Sequence, residues 1–382
     1  MDKPKAPTWK QHLLPKDAEA INSVAICGDG SRVIAGTYFF TAGPSPTPKT
    51  VGMFAYEQKG KPLWQDTYPA TFGINWVAIS RDGAWAASGG QISQSSGLIN
   101  AYDVTSGNKS LTYNPPVNVN MVALNSDGSV LVAGSDLLYV FARQGSGKVW
   151  SPPQTVAFTN AKVERVAVSA DGKWIAAAVE GGVVSLVQNH GGTLSAPASW
   201  SLPNSWILWV SIAANGSGFA VAGSDGNLYY FDIKAFAASS TPSLKPAWQV
   251  LLTGCSACRS VAVSDNGSLI CAAGDFKSQP ATGRVFLLAN EGTSGKQLWN
   301  STPTTLYGAN SVSMDATGRY VTVTDGTPAG TAGDFYLFGG KDGNLLWSYK
   351  LSNMSWPMEI SADGTGIAAG ADNSELYYFS VP

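Results

Sequence analysis

The sequence predicts an all-β protein assembled from eight copies of one four-stranded antiparallel unit. Three observations lead to this prediction: a stretch of the type VAVSADGKWIAAA (Val166 to Ala178) returns eight times, its turn glycines are almost evenly spaced, and glycine is abundant, with 42 among 382 residues. The turn glycines are separated by 53, 45, 44, 44, 51, 51 and 46 residues and are Gly30, Gly83, Gly128, Gly172, Gly216, Gly267, Gly318 and Gly364. A fixed supersecondary unit with loops of variable length accounts for these intervals.

Each unit contains four strands, which we name a, b, c and d. Strands a and b are joined mostly by Asp-Gly or Asn-Gly, which predicts a two-residue type I′ turn with positive φ at both positions. Strand c has the pattern of LYYFD (Leu228 to Asp232), and a short turn with glycine leads to strand d, which often opens with Leu-Trp, as in GKQLWN ending at Asn300. Four antiparallel strands in about 45 residues form the blade of a β-propeller.

The two ends of the chain complete each other. The last repeat stops at ELYYFSVP without a strand d, and the first is preceded by an unassigned APTWKQHLLP. Residues 7–15 are therefore expected to supply the outer strand of the last blade, which closes the ring and removes an exposed edge. This predicts a single eight-bladed propeller over residues 1–382. The d strands then carry Trp9, Trp64, Trp150, Trp200, Trp248, Trp299 and Trp347, with Thr112 in the eighth place.

The combined pattern VAVSxDGxxxAxG, LYxF and GKxLW resembles the WD40-like and pyrroloquinoline-quinone-like repeats of eight-bladed propellers over essentially the whole chain. The resemblance implies the fold, which scaffolds, sensors and enzymes share. The d-strand Trp is similar to the docking Trp of quinoproteins, which implies packing between neighbouring blades. Quinoprotein dehydrogenases use a vicinal Cys-Cys pair and an acidic Ca²⁺ and quinone site, whereas this chain has Cys255-x-x-Cys258. We therefore expect no cofactor.

Charge and composition restrict the partners. With 24 basic and 26 acidic residues the formal net charge is −2, so no basic field favours nucleic acid. No apolar run approaches the ~18 residues of a membrane span. The opening MDKPKAPTWK shows no signal peptide. Charged residues make up only 13% of the chain, which also has 13 Trp and much Ser, Thr, Gly and Asn, and this favours an extracytoplasmic protein, periplasmic or secreted. We expect a monomer.

Connection lengths predict the side of the propeller that carries the site. The a–b and most c–d turns are short, whereas the b–c connections are long in blades 1, 2, 6 and 7, at 37–52, 89–97, 274–283 and 324–333. Loop variation on one side of a rigid scaffold is where binding usually resides, so we expect a one-sided rim at the channel mouth. Neutral insertion is the alternative.

Strand a begins with a column of polar residues on the same side, two positions before its first Val or equivalent. The column is Asn22, Asn75, Asn120, Glu164, Leu208, Arg259, Asn310 and Trp356. Amide groups and the charges of Glu164 and Arg259 could hold a polar ligand. The alternative is that Asn caps the d–a loop by bonding its own backbone. With Trp76 and Arg165, this column forms the predicted ligand-binding or partner-binding mouth.

Few residues suggest chemistry. Cys255 and Cys258 form a C-x-x-C pair, for which a loop disulfide is favoured over two free thiols or a redox couple. A disulfide would support the oxidising compartment. The only histidines, His12 and His190, lie in the closing strand and in a c–d turn, away from the mouth. We therefore predict no catalytic residue and no metal.

The sequence thus favours a non-catalytic binding or scaffold propeller that engages a protein, a small polar ligand or a carbohydrate through its b–c and d–a loops. The alternative is an extracytoplasmic enzyme, either a quinoprotein-like oxidoreductase or a polysaccharide lyase or hydrolase, with its site at the channel mouth.

Overall fold

The predicted all-β architecture is confirmed by a computed structural model that describes residues 5–13, 20–38, 49–145, 147–276, 283–303, 306–326 and 332–381. These residues form 32 strands and one short helix, arranged as eight four-stranded antiparallel blades. The chain divides into two compact units. Unit 1 consists of Met1–Lys5, Ala167–Asn189 and Ser195–Ser355, and unit 2 of Ala6–Val166, His190–Leu194 and Trp356–Pro382. The single domain over residues 1–382 stays a prediction.

The first three blades follow one another in the chain, each in the order a to d. Blade 1 contains β2 (Ala20–Ile26), β3 (Arg32–Tyr38), β4 (Lys49–Glu57) and β5 (Pro62–Ala70). Blade 2 contains β6 (Gly73–Ile79), β7 (Trp85–Ser93), β8 (Ser96–Asp103) and β9 (Lys109–Tyr113). Blade 3 contains β10 (Met121–Leu124), β11 (Val130–Gly134), β12 (Leu138–Ala142) and β13 (Gln154–Val156). Pairing of Tyr38 with Gly73 joins blades 1 and 2 into one eight-stranded sheet.

The next four blades repeat this order. Blade 4 contains β14 (Val163–Val168), β15 (Trp174–Val179), β16 (Val183–Gln188) and β17 (Ala198–Ser201). Blade 5 contains β18 (Ile207–Ile212), β19 (Gly218–Gly223), β20 (Asn227–Asp232), helix α1 (Ile233–Ala238) and β21 (Trp248–Leu251). Blade 6 contains β22 (Cys255–Val263), β23 (Leu269–Phe276), β24 (Gly283–Asn290) and β25 (Gly295–Ser301). Blade 7 contains β26 (Gly308–Met314), β27 (Tyr320–Gly326), β28 (Gly333–Gly339) and β29 (Leu345–Leu351).

The last blade joins the two ends of the chain, as predicted. It contains β30 (Met358–Ile360), β31 (Gly366–Gly370) and β32 (Glu375–Ser380), and β1 (Trp9–His12) is its outer strand. Trp9 pairs with Tyr378 and its ring stacks on the tyrosine at 5.4 Å. Lys10 forms a 2.8 Å ion pair with Glu375. The N-terminal strand thus covers the edge that β32 would otherwise expose.

The a–b turns differ from the prediction. Only the glycine has positive φ, and in all eight turns its N–H bonds to the carbonyl three residues earlier, as in Gly83 to Ser80 at 2.9 Å. This is the geometry of a type I turn, which favours Ser, Asp or Asn at its first position and Gly at its fourth. The Ser80 hydroxyl also accepts from the N–H of Trp85 and donates to Asp82, so the side chains complete the turn. In six other turns the side chain of the first residue also accepts from the N–H five residues later. In the eighth turn the first residue is Ala213, whose side chain has no acceptor.

Strand d contains a β-bulge that separates the two residues of its Leu-Trp pair. The extra, unpaired residue is Leu63, Ser110, Leu298 or Leu346 in blades 1, 2, 6 and 7. A bulge breaks the alternation of the strand, so the Trp reaches the next blade while Leu298 and Leu346, which precede their Trp residues, are exposed. The same register corrects one sequence assignment. The blade 2 equivalent of Trp64 is Leu111, opposite Ala101, and Thr112 is one residue too late.

The d-strand Trp rings contact the c–d turn glycine of the following blade. A Cβ on Gly60, Gly107, Gly295 or Gly343 would lie within 3 Å of Trp9, Trp64, Trp248 or Trp299, respectively. The indole N–H groups donate into the same blades, from Trp64 to the Val104 carbonyl and from Trp299 to the Gly340 carbonyl, both at 2.7 Å. Within each unit, a bulge, a Trp and a glycine turn therefore hold one blade against the next.

Candidate functional site

The predicted polar column is the second bulged position of the repeat. In strand a of blades 1, 2, 5, 6 and 7 the register shifts by one residue, and the extra residue is Asn22, Asn75, Leu208, Arg259 and Asn310, respectively. A bulge leaves this residue out of the ladder and re-aims its side chain. The sequence column therefore marks a backbone irregularity that is repeated from blade to blade.

The asparagines of this column bond the following blade. Asn22 donates through Nδ2 to the Asn75 carbonyl at 2.9 Å, and Asn75 donates to the Val119 carbonyl at 2.9 Å. Asn120 donates to the Val163 carbonyl at 3.1 Å. In unit 1, Asn310 donates to the Ser355 carbonyl at 2.7 Å. This contact was not predicted, because the sequence pattern suggested only a ligand or the residue's own backbone as the partner of each amide.

Asn118 connects two members of the column in unit 2. It accepts a hydrogen bond from Asn75 and donates to the Oδ1 of Asn120 at 2.6 Å. Asn22, Asn75, Asn118 and Asn120 thus form a continuous series of amides that ends on the backbone of Val163. Each described Nδ2 in this series has a partner, so the amides act as links between blades.

The other predicted mouth residues have separate environments. Arg259 is exposed and forms an ion pair with Asp275 in its own blade. Arg165 donates from Nη1 to the Glu164 carbonyl at 2.8 Å, and burial lowers the pKa of its guanidinium. Trp76 is partly buried against the core cluster that contains Trp85. Trp356 is 38% exposed. A common binding role for these residues stays a prediction.

The long b–c connections are only partly described. In blade 2 the segment 89–97 is not a loop, because β7 and β8 extend through it and leave a two-residue turn at Gln94 and Ser95. Thr71 holds this extension to blade 1 by bonding the Ile92 carbonyl through both its N–H and its hydroxyl. In blades 1, 6 and 7 the predicted rim includes residues 39–48, 277–282 and 327–331, which lie outside the described residues.

The predicted disulfide is not formed. Cys255 and Cys258 are free thiols, and both lie in β22 rather than in a loop. Cys255 pairs with Phe276 and Cys258 with Gly274, with two bulges in this strand. Burial raises the pKa of the Cys255 thiol to about 12, and it also raises the pKa of the Cys258 thiol, which is fully buried. These thiols are therefore protonated at neutral pH and unsuited to redox chemistry.

The buried carboxyl groups are the main polar feature that sequence reasoning missed. Asp325 and Asp334 are both buried in blade 7, and both contact the hydroxyl of Tyr336, at 3.1 and 3.0 Å. Burial raises the pKa of Asp325 to about 7. Asp325 also accepts the N–H groups of Tyr307 and Asp334. Because its oxygens are occupied and no solvent reaches it, Asp325 is better suited to bracing the b–c end of blade 7 than to catalysis.

Two carboxyl groups of blade 8 are perturbed in the same direction. Burial raises the pKa of Glu359 to about 7 and that of Asp372 to about 6. A search of the described residues finds no group of three or more His, Cys, Asp or Glu side chains arranged to hold a metal ion. The described residues also include no helix with the length and apolarity needed to cross a membrane.

Exposed large apolar side chains fall into two groups. Leu298 and Leu346 are bulge residues of strand d, and Val149 precedes Trp150 on the outer edge of blade 3. The other group lies at the b–c and d–a ends of the blades and consists of Trp206, Leu251 and Trp356, exposed by 55%, 61% and 38%. More than half of the Trp206 surface faces solvent.

A pocket of about 360 Å³ lies beside α1, at the c–d connection of blade 5. Phe236 and Leu244 supply apolar surface, and Asp232 and Lys245 supply charge. Most c–d connections are short turns, and this insertion was not predicted from the sequence.

The comparisons with known proteins identify the fold. No protein-family model and no curated protein matches the sequence. Chaetomium thermophilum Sqt1, solved bound to the N-terminus of the ribosomal protein L10, is similar with a TM-score of 0.72 and 13% identity, over 96% of this chain and 98% of that one. The β-propeller domain of Cps50 (Swd1) from Myceliophteria thermophila is similar with a TM-score of 0.59 and 15% identity, over 80% of this chain and 96% of that one. The chain is therefore an eight-bladed β-propeller.

The expected extracytoplasmic location is wrong. One similar structure is of a protein bound to a ribosomal protein, a partner found inside cells, and the fold does not indicate secretion. The physical reason for the error lies in the composition. Buried strands such as β15 and β19 are built of small apolar residues, and the turns are rich in Gly, Ser and Asn, so low charge reflects the architecture rather than the compartment.

Proposed function

We propose that this protein is a non-catalytic propeller that binds a protein partner through the b–c and d–a ends of its blades. The observation that carries the proposal is the exposure of Trp206 and Leu251 at these ends of unit 1, and of Trp356 at the corresponding end of a blade in unit 2. Exposed Trp side chains held on a rigid scaffold are the residues that most often dominate protein interfaces. That Sqt1 was solved bound to a ribosomal protein segment supports a protein partner as the ligand class.

The enzyme alternative has lost its support. That alternative needed the asparagines of the column as polar groups that face a ligand at the channel mouth. Their amides bond the backbone of neighbouring blades. Within the same proposal, we regard the d-strand tryptophans as blade-docking residues, supported by the contacts of Trp64 and Trp299. A carbohydrate ligand and the monomeric state stay predictions.

The test compares two triple variants in quantitative affinity purification from the native host. The first carries Trp206→Ser, Leu251→Ser and Trp356→Ser, and the second, a control at the other three exposed apolar residues, carries Val149→Ser, Leu298→Ser and Leu346→Ser. The proposal expects partners recovered with the wild type to be lost from the first variant and kept by the second. Loss from the second alone would move the interface to the outer strands, and loss from neither would refute the proposed surface.

A further inference from the structure

One region at the b–c end of blade 5 combines two exposed apolar side chains with a carboxylate. We define it as the blade 5 patch, which consists of Trp206, Asp225 and Leu251, all in unit 1. Asp225 stands in the b–c turn formed by Ser224, Asp225 and Gly226. The two apolar side chains lie on either side of this turn.

The backbone of Trp206 is held in place on the first residue of the turn. Its N–H donates to the Ser224 hydroxyl at 2.8 Å, and its carbonyl accepts from the Ser224 N–H at 2.9 Å. The preceding segment is held by blade 4, where the Leu202 N–H bonds the Gly182 carbonyl at 2.8 Å. The Ser205 carbonyl lies so close to Gly182 that a Cβ there would clash at 2.2 Å. The exposed indole is therefore presented by a fixed backbone, which reduces the entropy lost on binding.

Leu251 lies on the other side of the turn. It pairs with Asn227 at the end of strand d, and the next residue, Leu252, donates its N–H to the Gly226 carbonyl at 3.0 Å. The Leu251 Cδ1 lies 3.5 Å from the Cβ position of Gly226. Leu251 is 61% exposed. An apolar surface thus continues past the carboxylate on the side away from Trp206.

The charge of Asp225 is not compensated by a cation among the described residues. Its oxygens accept the Asn227 N–H at 3.0 Å, the Asn227 Nδ2 at 2.8 Å and the Tyr229 hydroxyl at 2.5 Å, and all three donors are neutral. These bonds fix the orientation of the carboxylate.

From this arrangement we infer that the blade 5 patch binds a protein segment in which a Lys or Arg is flanked by apolar side chains. The cation would pair with Asp225, and the flanking apolar groups would cover Trp206 and Leu251. A basic side chain beside an indole also gains cation–π attraction. The inference rests on the proposed protein-binding function and narrows it to one blade and one class of segment.

The experiment uses a library of random 12-residue peptides displayed on phage and selected on the full-length protein. Enriched peptides are synthesised and their Kd values are measured against the wild type and four variants. Trp206→Ala is expected to raise Kd at least tenfold, and Asp225→Asn is expected to raise it severalfold and to weaken its salt dependence. Leu298→Ala, at an exposed apolar residue outside the proposed surface, should leave Kd within twofold, and Trp356→Ala tests the exposed Trp of that surface in blade 8. Melting temperatures check that each variant folds.

A charge swap in the peptide isolates the proposed ion pair. Replacing the peptide Lys or Arg by Gln should weaken binding to the wild type about tenfold and binding to Asp225→Asn much less, because the pair is already broken there. Enriched peptides without a basic residue, equal binding by Trp206→Ala, or no enrichment over the bare support would overturn the inference. Binding lost in Trp356→Ala but kept in Trp206→Ala would overturn the blade 5 patch while leaving the proposed function standing.

Discussion

The side-chain amide of Asn22 donates a 2.9 Å hydrogen bond to the backbone carbonyl of Asn75, its counterpart in the next blade. Both residues are the extra residue of a bulge in strand a. One position of the repeat thus supplies both the bulge in strand a and the side-chain amide that bonds the neighbouring blade. Since each of these hydrogen bonds is at least partly buried, removing the amide leaves an acceptor without its partner.

Asn75→Ala should lower the free energy of unfolding by about 1–3 kcal/mol, because Asn75 donates to both Val119 and Asn118. Urea unfolding at constant m value measures the loss. Asn344→Ala is the control, since Asn344 is exposed and donates only to Asp342 in its own turn, and it should cost about 0.5 kcal/mol or less. Equal effects of the two substitutions would contradict the role of Asn75 as a link between blades.

Gly343→Ala should destabilise the folded protein more than a glycine substitution whose only cost is backbone strain. Gly343 has a φ of +68°, and a Cβ there would lie 2.6 Å from the Trp299 ring. Gly292 has a similarly positive φ of +84° but no atom within 4 Å, so Gly292→Ala should cost only the left-handed backbone term of roughly 1–2 kcal/mol. The clash should add about 1–3 kcal/mol at Gly343. A difference in Tm no larger than experimental error would show that the ring moves away freely.

Ser80→Ala should destabilise blade 2 by about 1–2 kcal/mol, since the Trp85 N–H loses its acceptor at 2.9 Å and Asp82 loses a donor. The reciprocal change is Ala213→Ser, in the one turn whose first residue lacks a polar side chain. It should stabilise the protein by up to about 1 kcal/mol if the hydroxyl finds the same donor. Chemical denaturation of both variants checks the pair, and a loss of stability with Ala213→Ser would mean that the buried site has no room for the oxygen.

Thiol titration should find four free cysteines in unfolded, unreduced protein and slow modification of the native protein. Cys27, Cys258 and Cys271 are buried, and burial raises the pKa of each thiol, to about 12 for Cys271. Cys255 is half-buried and should react first, although its pKa is also raised to about 12. A count of two thiols after unfolding would restore the disulfide between Cys255 and Cys258.

Repeats could be read from the sequence because each blade carries the same turn, the same strand c and the same Trp. The closure of the ring by the strand of Trp9 followed from counting strands. The position of Leu111 as the blade 2 equivalent of Trp64 could also have been predicted. Trp64 and Trp299 each stand four residues after a turn glycine, as Leu111 does after Gly107. The role of Asn75 could not be predicted from the sequence. Its hydrogen bond crosses to the next blade, so the donor and the acceptor do not belong to the same repeat. The exposure of Trp206 depends on where Ser224 holds its backbone, which no local pattern encodes.

The pairing of Asp325 and Asp334 was equally hidden, because it forms only when β27 and β28 bring two residues of one b–c connection to the same tyrosine. Burial raises the pKa of Asp325 to about 7, well above its unfolded value of ~3.9. Between these values the folded protein holds a proton that the unfolded chain has lost. The free energy of unfolding should therefore fall as pH rises from about 4 to about 7. The raised pKa values of Asp334, Glu359 and Asp372 act in the same direction.

Two variants separate Asp325 from these other groups. Asn cannot ionise, so Asp325→Asn should flatten the fall in the free energy of unfolding between pH 4 and pH 7. At pH 5 it should lower that free energy by about 1 kcal/mol, because an amide nitrogen replaces one of the two oxygens that accept from Tyr307 and Asp334. Tyr336→Phe removes a hydrogen bond that holds the Asp325 pKa down, and it should move the fall to higher pH. Urea unfolding across this range measures both. A wild-type profile that Asp325→Asn leaves unchanged would show that Asp325 stays ionised in the fold, with the Tyr336 proton shared between two carboxylates.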